Sequence, residues 1–167
     1  MRPDERESLR RRFDFRCGYC GVSETDAGAE HTVDHFQPRS RDGVDEPGNW
    51  VYCCFTCNNN KSNVWSPDSP QRILHPLNDN PTEHVTEQPD GTLVGLTETG
   101  RFHIEQLELN RPPLIAHRLS RRREEQLSQT LEESLRQQEK LRRRVEALEQ
   151  AVAEAERRLR SLQSLED

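Results

Sequence analysis

Five cysteines stand at positions 17, 20, 53, 54 and 57, and four of them make two C-x-x-C pairs, Cys17/Cys20 and Cys54/Cys57, separated by 33 residues. That spacing suits one tetrahedral Zn²⁺ ion taking two thiolates from each pair, a staple that adds folding free energy where apolar burial is scarce. A disulfide framework is the rival reading. The odd count and the confinement of the cysteines to one stretch of chain favour the metal. Cys53 reads as a small buried strand residue. Between the pairs stand Asp34-His35 and Asn49, and Asn58 and Lys61 follow the second pair. A carboxylate, an imidazole and carboxamides can hold a hard divalent cation and move a proton. Phosphodiester hydrolysis needs that combination: an activated water, a charge sink and a stabilised leaving oxygen.

Only 31% of the residues are hydrophobic and 32% are charged, so any core must be small or reinforced. Residues 3–13 predict a short helix, with Pro3 in its first turn, packing through Leu9 and Phe13. FRCGYCGVS makes the first knuckle, with a glycine after each cysteine for the sharp turn. Residues 30–36 and 49–54 predict two strands around the turn-rich QPRSRDGVDEPG, and 57–64 a short helix. The chemistry-bearing residues would thus sit on strand, loop, strand and helix in that order. Trp50 and Trp65 read as core. His31, His75, His84, His103 and His117 stand singly and read as surface or satisfied core histidines, with His31 able to line the cleft if its strand is regular.

The run of C-x-x-C, Asp34-His35 with Pro38 three residues on, Asn49, and C-x-x-C-N-x-x-K resembles the HNH endonuclease family over about 45 residues. The resemblance implies an α+β chain with a ββα-metal nuclease domain. It implies His35 as general base, Asp34 and Asn58 as ligands of the catalytic metal, and Asn49 as the residue that steadies the loop and orients the His35 ring. Asparagine at 58, where the family name has its final histidine, makes this an H-N-N variant. An amide oxygen is a hard ligand, favouring Mg²⁺ or Mn²⁺. Lys61 is expected to contact a phosphate, as is Arg39. Asn59 and Asn60 are alternatives to Asn58, which directly follows the knuckle as the family pattern requires.

The expected organisation is a nuclease domain with structural zinc over 1–65, a loop and hairpin extension over 66–113, and a long helix over 114–167. In the extension, HVTEQ and TLVGLT flank a PDG turn, RFHIEQLEL offers a third strand or a short helix, and 3 basic residues face 8 acidic ones. Leu127, Leu131, Leu141, Val145, Leu148, Val152, Ala155, Leu159 and Leu162 share one a/d register, interrupted by Ser134 and Gln138. That pattern predicts a coiled coil of about 75–80 Å for a homodimer or a hetero-contact. A solvated single helix laced with Glu–Arg pairs is the rival.

The net charge of −6 argues against a sequence-independent DNA coat and leaves a metal-assisted nuclease open. GRFHIEQLELNRPPLIAHR resembles the tail of small HNH proteins of bacterial anti-phage and restriction systems. That likeness implies a partner ATPase supplying the target, with Asn110-Arg111 and the long helix as docking parts. The charged N-terminus and the lack of a long apolar run predict a cytoplasmic protein with no membrane span. The reading from another class is a non-catalytic zinc adaptor on a coiled-coil arm.

Overall fold

A computed structural model describes the backbone of residues 1–163 and side chains through 158. The elements run α1 (Pro3–Arg12), α2 (Glu24–Ala27), β1 (Thr32–His35), β2 (Trp50–Cys53), α3 (Phe55–Lys61), α4 (Pro81–His84), β3 (Val85–Glu87), β4 (Leu93–Gly95), α5 (Glu98–Gln106) and α6 (Pro112–Gln163). Residues 1–120 form one compact unit, and a second begins at Arg121. Among the described residues, no helix is long and apolar enough to cross a membrane.

The first unit is built on β1 and β2, an antiparallel pair in the register Thr32↔Cys53 to His35↔Trp50. Both strands are shorter than expected, because the chain turns away at Phe36 and at Cys54 to make the loop and the knuckle. α1 lays Leu9 and Phe13 on β2, whose four residues are all buried. Its start is held by Glu5, which accepts the Arg2 N–H at 2.6 Å. Its last turn carries Arg10, Arg11 and Arg12, favourable at a helix C-terminus. α3 begins two residues earlier than expected. Cys54 serves as its N-cap, its Sγ accepting the Cys57 N–H at 3.5 Å, so the knuckle itself nucleates the helix.

The second small sheet pairs β3 with β4 around the expected turn, where Gly91 adopts φ +81° and Asp90 Oδ1 accepts the Thr92 N–H. RFHIEQLEL is helical through Gln106: α5 starts at Glu98, capped by Thr97 Oγ1 accepting from the Gly100 N–H at 3.0 Å. Ile104, Leu107, Leu109 and Leu114 then join the core built on α1 and β2. Arg118 is buried in α6, donating to Gly91 O at 2.6 Å and Leu109 O at 2.7 Å.

From residue 123 onward every described side chain of α6 is exposed. The side chains of Leu159 and Leu162, expected on the apolar stripe, lie outside the described residues.

Candidate metal centre and active site

The Sγ atoms of Cys17, Cys20, Cys54 and Cys57 lie within 4.8 Å of one another, with Cys20 and Cys54 at 3.9 Å. A tetrahedron with ~2.3 Å metal–sulfur bonds has sulfur–sulfur edges of about 3.8 Å, so the cluster fits one zinc ion. The Arg111 guanidinium approaches Cys57 Sγ at 3.6 Å and Cys54 Sγ at 4.0 Å, offsetting the negative charge of a four-thiolate site. Cys53 is fully buried in β2 and outside the cluster, as expected.

Along β1 Asp34 is turned inward and His35 outward, and both border the same cleft. Asp34 is buried. Its Oδ2 accepts from the Tyr19 hydroxyl at 2.6 Å and lies 2.9 Å from Lys61 Nζ, with Oδ1 at 3.2 Å. Burial pushes the Asp34 carboxyl upward, opposed by the Lys61 charge and the Tyr19 hydrogen bond. Lys61 is fully buried and also donates to His35 O at 3.1 Å. The expectation that Lys61 reaches a phosphate is therefore corrected. An ammonium with no exposed surface, already paired to a buried carboxylate, is a structural cation.

His35 Nε2 lies 2.8 Å from Asp45 Oδ1, which also accepts from Trp50 Nε1 at 2.8 Å. The hydrogen bonds from His35 and Trp50 hold the Asp45 carboxyl down at about 2, so it is ionised and only accepts. Nε2 must then carry a hydrogen. Arg39 Nε, 3.3 Å from the same nitrogen, cannot donate to it, and the Arg39 guanidinium pairs with Asp45 Oδ2 at 2.7 Å. His35 Nδ1 has no hydrogen-bond partner among the described residues.

Asn49 ties the intervening loop to β2. Its Oδ1 accepts the Gln37 N–H at 2.7 Å, while Nδ2 donates to Gln37 O at 3.0 Å and Val44 O at 2.8 Å. The same loop folds so tightly at Gly43 that a Cβ there would lie 1.8 Å from Gln37 O. Asn49 thus ties the loop together, and it is Asp45 that touches the His35 ring.

Asp34, His35, Arg39, Asn58 and Asn59 line one open cleft of about 430 Å³ between β1 and α3. The Asn58 amide has no partner among the described residues. Asn60 turns away, its Nδ2 donating to Leu107 O at 3.2 Å, which removes it from the alternatives to Asn58. Phe55, 76% exposed, stands on the cleft rim.

With this geometry in place, comparison with known families matches the HNH endonuclease model over residues 17–64. That segment belongs to the HNH endonuclease family. The family is one of phosphodiester hydrolases, so the chain carries an enzyme's domain. Neither the curated proteins nor the solved structures yield a match.

The HNH segment spans both knuckles, both strands of the first sheet and all of α3, the elements that carry the cleft. Of the residues expected in its site, Asp34, His35, Asn58 and Arg39 meet at the cleft, Asn49 braces it, and Lys61 lies beneath it. Tyr19 and Asp45 were not foreseen. Tyr19 could have been suspected, because a tyrosine between two zinc-spaced cysteines in so small a core must find a partner for its hydroxyl. Asp45 gave no such signal, since an acid in a Gly/Pro-rich loop reads as a turn former. His31 is buried, with Nε2 2.9 Å from Val22 O, and does not line the cleft.

Asn110 and Arg111, expected as docking parts, are committed internally. The Asn110 amide accepts the Leu93 N–H at 2.7 Å and donates to Leu93 O at 2.9 Å. Arg111 Nη1 donates to Leu107 O at 3.0 Å while Nη2 faces the thiols. Arg111 thus joins the extension to the HNH segment, while Asn110, which stays exposed, pairs within the extension.

Proposed function

We propose that the chain is a divalent-cation-dependent endonuclease that hydrolyses DNA phosphodiester bonds in the cleft between β1 and α3, with His35 as general base. The observation that carries this is the convergence of Asp34, His35 and Asn58 on that cleft, with His35 Nδ1 left unbonded while Nε2 is held by Asp45. Nδ1 is then the nitrogen with a lone pair to take a proton from water. Asp34 retains an acceptor site on Oδ1, and the Asn58 amide oxygen is uncommitted. Two hard oxygen donors beside open space fit Mg²⁺ or Mn²⁺ held largely by water and substrate. When bound, such an ion polarises the phosphate and offsets the charge that develops on it. Arg39, exposed on the rim, would steady a flanking phosphate.

The setting we favour is bacterial defence or restriction, with targeting supplied by a partner ATPase. It is supported by the resemblance of residues 100–118 to the tails of small nucleases in such systems. The acidic net charge agrees, since it gives the isolated chain little pull on DNA. The C-terminal helix would carry self-association or contact with that partner.

Plasmid nicking with Mg²⁺ or Mn²⁺ tests the reading. Wild type should cleave, and His35→Ala should cut at least about a hundredfold more slowly while melting like wild type. Cleavage that survives His35→Ala would show that the base lies elsewhere. Failure of the wild type with either ion, alone or with candidate partners, would instead favour a zinc-binding adaptor.

A further inference from the structure

Residues 121–158 form a single helix whose apolar side chains have no cover in the isolated chain. Leu127, Leu131, Leu141, Val145, Leu148 and Val152 are between 52% and 70% exposed. A stripe two residues wide per heptad is narrower than the face of a helix packed on a globular core. It matches the seam of a coiled coil.

The spacing assigns each position. Leu127, Leu141 and Leu148 fall at d with Ser134, and Leu131, Val145 and Val152 at a with the polar Gln138. β-branched residues at a with leucine at d favour two parallel strands, and one polar a residue penalises out-of-register pairing.

The charges separate into two sets. Glu132–Arg136, Glu139–Arg143, Arg142–Glu146 and Glu154–Arg158 close i,i+4 pairs along the helix itself. Arg144, at g, and Glu149, five residues on at e, make no ion pair among the described residues. That is the offset at which g of one strand meets e of its neighbour in a parallel coiled coil, and twofold symmetry would form the pair twice. In an antiparallel dimer g faces g, and the described g positions on this register, Arg123, Thr130, Gln137, Arg144, Ala151 and Arg158, include no acid, so no g–g ion pair can form.

We propose that this helix forms a parallel, in-register, two-stranded coiled coil with a second copy of the same chain, in which Arg144 of each copy pairs with Glu149 of the other. The proposal is independent of the nuclease reading.

The test uses the full-length, zinc-loaded protein. Light scattering at micromolar concentration should give twice the chain mass of 19.5 kDa. Arg144→Glu and Glu149→Arg should each weaken the dimer about tenfold, since two attractive pairs become repulsive, and the double exchange should restore it. Leu127→Cys and Leu148→Cys, about 30 Å apart along the helix, should each yield a disulfide-linked dimer on mild oxidation where wild type yields none. An antiparallel pair brings only one of those two positions opposite its own copy. A monomer at tens of micromolar overturns the proposal. So does a dimer indifferent to both charge reversals, cross-linking at only one of the two cysteines, or a dimer that forms only with a different protein.

Discussion

Asp45 Oδ1 stands 2.8 Å from His35 Nε2 and accepts from Trp50 Nε1 at the same distance, so one carboxylate oxygen holds a strand histidine and a core indole together. The indole can only donate and the carboxylate can only accept, which leaves the imidazole no choice of tautomer. Asp45→Ala should free it. We expect kcat to fall about tenfold or more with little change in KM, and the ¹⁵N spectrum of His35 to move from the Nε2–H form toward a mixture of tautomers. Trp50→Phe, which leaves the His35 contact in place, should spare the tautomer. An unchanged His35 spectrum in Asp45→Ala would remove Asp45 from the site.

The buried pair Asp34–Lys61 gives a prediction about stability. Lys61→Met leaves the Asp34 carboxylate buried without its cation, at a cost of about 3–5 kcal/mol. Adding Asp34→Asn should recover more than half of that loss, because the uncompensated charge goes with it. Urea denaturation of the two variants measures both. A Lys61→Met protein as stable as wild type, but with raised KM, would mean that this ammonium reaches substrate after all.

The order of strand, loop, strand and helix was legible because it follows from local rules: cysteine spacing, a Gly/Pro-rich loop, two short apolar runs. Asp34 and His35 were legible from their place beside the knuckles. Lys61 was misassigned because its partner is 27 residues away, and only the packed fold shows that the last turn of α3 tucks beneath β1. The Arg111 contact was hidden for the same reason, its thiol partners lying more than 50 residues earlier. The start of α3 moved because thiolate capping is a property of the assembled knuckle, invisible to propensity.

His103 supplies a pH dependence. It is buried on α5, its Nδ1 accepts the Leu74 N–H at 3.1 Å, and burial lowers it from 6.5 to about 4. The unfolded chain therefore binds a proton near 6.5 that the folded state refuses. Its contribution to stability is full above 6.5 and is lost as pH falls toward 4, by on the order of 3 kcal/mol. His103→Asn keeps an acceptor for Leu74 without the titration. Denaturation midpoints at pH 7 and pH 4.5 should diverge more for wild type than for the variant, and equal slopes would contradict the assignment.

The four-cysteine cluster and the cation site proposed in the cleft differ in chemistry, and they predict two responses to metal loss. EDTA at concentrations that strip accessible Mg²⁺ or Mn²⁺ should stop cleavage while the circular dichroism spectrum and bound zinc stay constant. Cys57→Ser should lower the zinc content and unfold residues 1–120, because the lost ligand is also an anchor of α3. A soluble, folded Cys57→Ser protein without zinc would show that the knuckle is dispensable for the fold.

The contact between Arg111 and the knuckle thiols has a consequence for the order of biogenesis. A ribosome delivers all four cysteines by residue 57, but the guanidinium that balances them, and the leucines at 107, 109 and 114 that complete the core, come about fifty residues later. A zinc ion could thus be captured by a nascent chain whose cleft is not yet supported. On the proposed function, activity would arise only as the last turns before α6 leave the exit tunnel, so a message truncated between the knuckle and Arg111 would yield a metal-bound but incompletely packed, and therefore idle, product.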